Sequence, residues 1–149
     1  MAHSYTNILI HYVWSTKNRE KTITAELQKR LWSYMGGIAR ENNMKALAIG
    51  GIEDHMHLLI SLPTTLSIAK AIQLIKGGSS KWVHDTFPNY NNFKWQEGYG
   101  AFSVSSSQLK NTILYINRQK EHHFKESFRD EYISVLGEHD IDYDKRYVW

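Results

Sequence analysis

Cysteine is absent from all 149 residues. This excludes a disulfide framework, a thiolate metal site and a cysteine nucleophile, and it fits a reducing cytoplasm. Any metal must therefore be held by nitrogen and oxygen. No apolar run approaches the roughly 20 residues that span a bilayer. The start, Met1-Ala2-His3-Ser4, also lacks the charged and apolar regions of a secretory signal. The expectation is a cytoplasmic protein with no membrane attachment. A triphosphate-binding loop is missing too. Lys76-Gly77-Gly78-Ser79-Ser80-Lys81 has suitable residue types, but neither the glycine spacing nor the following Lys-Ser/Thr pair. Proline occurs twice and no low-complexity tract interrupts the chain, so the length suits one compact domain over residues 1–149. The charge excess is small: a formal +3 and a pI near 9.0 help a polyanionic partner without identifying one. Aromatic residues make up 13% of the chain, a supply that suits stacking on unpaired bases, although most of those rings belong to the core.

What is present centres on Asp54-His55-Met56-His57-Leu58-Leu59-Ile60-Ser61-Leu62. Side chains alternate along a strand, so Met56, Leu58, Ile60 and Leu62 form one apolar row while His55 and His57 share the other face. Neutral imidazole is a common ligand for divalent metals, and two from one strand are cheap to organise. Asp54 lies next to His55 and points the other way, which makes it a turn residue or a group supporting the histidine from behind.

A second constellation lies in Ile113-Leu114-Tyr115-Ile116-Asn117-Arg118-Gln119, flanked by Asn111 and His122. The spacing predicts a helix with Leu109, Ile113 and Ile116 buried. Asn111, Tyr115, Gln119 and His122 then follow a different face. Taken alone, Tyr115 is an ordinary amphipathic tyrosine at the edge of a core.

The rest of the chain supplies a frame. Residues 5–16 alternate as a central strand, with Ile8, Ile10, Tyr12 and Trp14 on one face and Asn7, Leu9, His11 and Val13 on the other. Lys17-Asn18-Arg19-Glu20-Lys21 is a polar turn, either simply solvated or in contact with phosphates. Thr24 caps a helix whose buried stripe is Leu27, Leu31, Tyr34, Met35 and Ile38, and Asn42 and Asn43 suit its end. A strand over 45–49 follows, and Gly50-Gly51 with Ile52-Glu53-Asp54 makes a hairpin connection into the histidine strand. Leu66 to Val83 reads as a helix with Leu66, Ile68, Ala69, Ile72 and Ile75 inward, its lysines and hydroxyls either exposed or available to phosphates. Residues 85–97 are a loop, and Tyr99 to Ser105 a fourth strand. The order strand, helix, strand, strand, helix, strand, helix predicts an α+β, ferredoxin-like antiparallel sheet with helices on its faces. Phe124, Phe128, Tyr132, Ile133, Leu136, Tyr143 and Tyr147 give the C-terminal stretch enough apolar surface to pack on the domain or on a second subunit.

Together, His55-Met56-His57 on a strand and Tyr115-x-x-x-Gln119 on a helix resemble the HUH single-tyrosine transposases of the insertion sequence 200-like family. The resemblance extends to the segment from Ile75 to Lys81 and to Trp95-Gln96-Glu97-Gly98-Tyr99-Gly100-Ala101-Phe102-Ser103-Val104. It implies an HUH-endonuclease type of ferredoxin-like fold and a metal site made of His55, His57 and Gln119. All three are neutral, so a bound Mg2+ or Mn2+ would keep its full charge for polarising a phosphodiester. It further implies that Tyr115 attacks single-stranded DNA at hairpin-bearing element ends and forms a 5′-phosphotyrosine bond. That bond is later reversed on another strand, with no triphosphate consumed. Homodimers with shared active sites, in a prokaryotic, nucleoid-associated setting, belong to the same expectation. No substrate-reading residue can be assigned.

Two other readings accompany it. One is a domesticated relative that processes repeated genomic hairpins by the same chemistry. The other is a non-catalytic single-stranded nucleic-acid module, since ferredoxin-like sheets also stack bases. Against the latter, the aromatic pattern of the common RNA-recognition module is absent and histidines occupy the third strand.

Overall fold

The structure, a computed structural model, describes residues 4–123 and 127–144, with backbone alone for His122 and His123. The expected Phe124 and Tyr147 packing and the His122 side chain lie outside the described residues.

The predicted alternation produces β1 (Leu9–Ser15), β2 (Lys45–Gly51), β3 (His55–Ser61) and β4 (Gly100–Ser103). They form one sheet in the order β2-β3-β1-β4, every neighbouring pair antiparallel. This is the ferredoxin-like arrangement. The two central strands, β1 and β3, lose both faces to packing, which is why β1 is buried along its whole length. Ile8, expected in its inward row, precedes the strand and is 39% exposed.

One face of the sheet presents Ile10, Tyr12, Trp14, Met56, Leu58 and Ile60. Against it lie α1 (Ala25–Glu41) and α2 (Ile68–Thr86). Thr24 caps α1 as expected, its hydroxyl accepting from the Leu27 amide at 3.2 Å, and Ser67 caps α2 by accepting from Lys70 N at 3.0 Å. The buried row of α1 is Leu27, Leu31, Met35 and Ala39. Each of the larger side chains contributes about 1.5–3 kcal/mol by leaving water. Tyr34 does not join this row. It is 38% exposed and stacks on Trp82 of α2, with ring centroids 4.5 Å apart. On α2 the buried row is Ala71, Ile72, Ile75, Ser79 and Val83, while Ile68 and Ala69 are exposed. The helix begins two residues later than expected, and in its first turn a backbone group makes the tie to the sheet: the Ile68 carbonyl accepts from the Tyr12 hydroxyl at 2.8 Å.

The opposite face carries Leu9, His11 and Val13 of β1 and His55, His57 and Leu59 of β3. Here α3 (Leu109–Asn117) sits over β2 and β3 through Ile116, Ala48 and Leu59. Then α5 (Phe128–Glu138) sits over β1 and β4 through Phe128, Tyr132, Leu136, Val13 and Phe102. Phe128, Tyr132 and Leu136 of the C-terminal stretch thus pack on the chain's own sheet, whereas Tyr143 is exposed. The single helix expected around Tyr115 is two segments, since Arg118 leaves helical geometry (φ −108°, ψ 28°) before α4 (Gln119–His123) begins.

Two glycines expected in the hairpin turn belong to β2, where Gly50 pairs with His57 and Gly51 with Met56. The turn itself is Ile52-Glu53-Asp54. The reason for Gly50 is close approach: a Cβ there would overlap the carbonyl oxygen of Ile116 on α3.

Around Lys76, two of the polar side chains are engaged within the fold. The Lys76 amine donates to the carbonyls of Gln96 and Gly98, both at 2.7 Å, and burial lowers its pKa to about 8. Ser79 is buried and accepts from the Trp95 indole at 3.0 Å. These contacts fasten the 95–98 loop beside the end of β1, where Gln96 N donates to Ser15 O. No helix among the described residues is long and apolar enough to cross a membrane.

Candidate metal centre and tyrosine cleft

Because α3 covers one half of the sheet face and α5 the other, a cleft of about 650 Å³ remains between them. Its lining includes His11, Phe102, Asn111, Tyr115, Glu131 and His139. The strand pattern brings His55 and His57 into the floor of this region, both fully buried. Their rings meet edge to face with centroids 5.3 Å apart.

Asp54, at the end of the turn, stands with Oδ1 2.9 Å from His55 Nδ1, in the supporting position expected for it. A proton on Nδ1, donated to that carboxylate, leaves the Nε2 lone pair of His55 directed inward. There it meets Gln119 Oε1 at 3.1 Å and Glu131 Oε1 at 3.8 Å. The orientation of the Gln119 amide follows from its other end, since Nε2 donates to the Tyr115 carbonyl at 3.3 Å. Acceptors thus converge on one point. The side chain of Phe128 closes the outer side of His55 by stacking on it at 4.1 Å.

Glu131 was not foreseen, and it adds a carboxylate beside the expected neutral set of His55, His57 and Gln119. Ser127 caps α5, accepting from Asp130 N at 3.2 Å, and the stripe Phe128, Tyr132 and Leu136 docks the helix on the sheet. Position 131 lies beside that stripe, so its carboxylate is carried inward and is 2% exposed. Glu131 Oε1 stands 2.8 Å from His57 Nε2. Ligand atoms of His55, His57 and Glu131 all lie within 4.8 Å of one another. Two imidazole nitrogens, a carboxylate and an amide oxygen fit a divalent cation. The mixed set suits manganese better than magnesium, which favours oxygen alone.

His11 was also passed over as a functional residue. It is only 7% exposed, and its Nε2 lies 2.8 Å from His57 Nδ1. Burial first, and the neighbouring His57 second, lower its pKa to about 3, so its ring is neutral at physiological pH. The alternation had placed it on the correct face. Only the register of β1 against β3 shows that this face is the one with the histidine pair.

Tyr115 is partly buried and lines the cleft. Its ring meets that of His57 at 89° with centroids 5.5 Å apart, and that of His11 at 6.4 Å. The structure therefore gathers His55, His57, Tyr115 and Gln119 within one chain, with Glu131 and His11 added.

A four-stranded sheet of this topology with a histidine pair facing a helix-borne tyrosine defines the HUH, single-tyrosine class of transposase fold. The family model described as "Transposase IS200 like" matches residues 4–119, and the chain belongs to that family. It is 24% identical over 140 residues to the transposase for insertion sequence element IS200 of Salmonella typhimurium, covering 91% of this chain and 89% of that one. To the ISDra2 transposase TnpA of Deinococcus radiodurans it is 23% identical over 116 residues, 74% of this chain and 83% of the relative. Among solved structures, a Deinococcus radiodurans R1 protein described as a transposase superposes with a TM-score of 0.63 at 22% identity. The match covers 78% of this chain and 97% of that one. A REP-associated tyrosine transposase bound to a REP hairpin superposes with a TM-score of 0.56 at 16% identity, covering 78% and 68%.

Proposed function

We propose that this transposase cleaves and rejoins single-stranded DNA at hairpin-bearing element ends, with Tyr115 as nucleophile and a 5′-phosphotyrosine intermediate. The observation that carries the reading is that Tyr115 and Glu131 line one cleft with His55 and His57 buried directly beneath, the Tyr115 and His57 ring centroids 5.5 Å apart. Membership of the family supplies the reaction class. His55, His57 and Glu131 would hold a divalent cation, Mg2+ or Mn2+, with Gln119 Oε1 available as a further ligand. When bound, the cation polarises the phosphodiester and stabilises charge developing on its oxygens.

The chain's own residues do the rest. Tyr115 delivers its phenolic oxygen from α3 while Gln119, one turn on, couples the position of that helix to the metal cluster. An unperturbed phenol has a pKa of about 10, so its proton must pass to a base as the bond to phosphorus forms. Tyr132 is a poorer candidate nucleophile, because it packs in the core under α5 and burial raises its pKa to about 12. The substrate is a hairpin-bearing single strand. Flanking genomic sequence separates a mobile element from a relative that processes repeated hairpins.

A homodimer with exchanged helices is part of the same proposal. Tyr115 and Gln119 would then move together from one protomer to the histidine pair of its partner.

The test is adduct formation. A hairpin-bearing oligonucleotide labelled at its 3′ end should become covalently attached to the protein in the presence of Mn2+, and Tyr115→Phe should abolish the attachment. An adduct that survives Tyr115→Phe assigns the nucleophile elsewhere.

A further inference from the structure

His57 is engaged at both ring nitrogens, and the two engagements constrain each other. Nε2 stands 2.8 Å from Glu131 Oε1, and Nδ1 stands 2.8 Å from His11 Nε2. A neutral imidazole carries one N–H. In a neutral His57 without a cation, a proton on Nε2 would be donated to the carboxylate and Nδ1 would accept the Nε2–H of His11. When His57 gives its Nε2 lone pair to a cation, its single proton must sit on Nδ1, and the ring nitrogen 2.8 Å from that Nδ1 is His11 Nε2.

From this geometry we infer that His11 is a positioning residue that sets the tautomer and ring orientation of His57 for metal binding. The inference rests on the reading that His55, His57 and Glu131 hold a cation. Protons balance across the pair. The one on His11 Nε2 crosses to His57 Nδ1, the one on His57 Nε2 leaves, and His11 takes up a proton at Nδ1. Each ring keeps one proton and no charge. His11 lines the cleft, which gives that last proton a route from water. A ligand histidine whose second nitrogen has a fixed acceptor binds metal more tightly, and losing such an acceptor typically costs about 10- to 100-fold in affinity. His11 is suited to this because it is a reversible partner: a carbonyl oxygen only accepts, whereas an imidazole donates in one state and accepts in the other.

The experiment titrates the purified full chain with Mn2+, following the free ion by electron paramagnetic resonance, for the parent, His11→Phe and His11→Gln. The Gln side chain places an oxygen near the former Nε2 and accepts the His57 proton, whereas Phe fills the space and accepts nothing. Expected is a Kd for Mn2+ raised about 10- to 100-fold in His11→Phe, with His11→Gln within about threefold of the parent. The second readout is the tautomer of His57 in the 15N-labelled parent, with Zn2+ as a diamagnetic probe. The ring proton should move from Nε2 to Nδ1 on loading. Equal affinities in all three proteins, equal losses in both variants, or a His57 proton that stays on Nε2 in the loaded parent would overturn the inference. If His11→Phe proves unfolded by circular dichroism, the His11 ring of the loaded parent decides: its Nε2 must be the unprotonated nitrogen, and a proton retained there overturns the inference. A folded parent that binds no Mn2+ overturns the metal reading itself, which separates the two failures.

Discussion

Gly50→Ala should separate the position of the nucleophile from the integrity of the fold. Gly50 pairs with His57 across β2 and β3, and its Cα faces the last turn of α3. An added methyl group would overlap the Ile116 carbonyl oxygen and stand 3.0 Å from both the carbonyl carbon and Cγ2 of Ile116. Ordinary van der Waals contact requires rather more, so α3 must retreat from the sheet by about an ångström, at a cost of about 1–3 kcal/mol. Tyr115, the residue before Ile116, moves with the helix, and Gln119 at the start of α4 is tied to it by donating to the Tyr115 carbonyl. His55 and His57 stay on β3. A displacement of about 1 Å at a reacting group costs on the order of 100-fold in rate. Urea unfolding of Gly50→Ala should therefore retain a cooperative transition, while single-turnover adduct formation on the 3′-labelled hairpin falls about 100-fold. Parental rate together with parental stability would refute the argument that Gly50 exists to let α3 approach. Equal slowing by the remote, equally destabilising Leu31→Val would show that the loss came from stability rather than from position.

Two further outcomes follow from the site. Glu131→Gln keeps the shape of the side chain but removes its charge; one charge near a divalent ion is worth several kcal/mol at an effective dielectric near 20. Mn2+ binding should therefore weaken at least about tenfold in the same resonance titration, with the cooperative melt retained, and unchanged affinity would exclude the carboxylate as a ligand. For the dimer proposal, purified mixed dimers of His57→Ala and Tyr115→Phe chains should form adduct where each homodimer forms none, because one composite site is whole. Mixed dimers as inactive as the homodimers would indicate that each chain uses its own tyrosine with its own histidines, as the single-chain geometry permits.

Most of the sheet was legible because alternation in 54–62 and 5–16 fixes which side chains share a face, and Thr24 marks a helix start by a local hydrogen bond. The errors fall where tertiary contact overrides local pattern. Gly50 and Gly51 read as turn residues, yet they lie in a strand because a helix from a distant part of the chain presses on Gly50 and the β3 backbone on Gly51. Tyr34 had the spacing of a core residue but found a stacking partner at the surface. His55 and His57 could be nominated by type and spacing, Tyr115 and Gln119 only through the family resemblance, and the structure gathers all four. Glu131 could not, since an acid within an amphipathic helix usually faces water. Its burial follows only once Phe128, Tyr132 and Leu136 are known to dock beside the histidines. The one hint was an acid three residues after the first residue of that apolar row. His11 depended on strand register, which alternation alone leaves open.

The chain order of the site also carries a temporal consequence. All four strands and both helices of the first face are complete by Ser103, while Tyr115, Gln119 and Glu131 come later. A growing polypeptide thus holds its histidine pair well before it holds the tyrosine, the amide and the carboxylate that converge on it. The cluster is whole only with the final portion of the described chain, when the helix whose carboxylate closes over the histidines has been made.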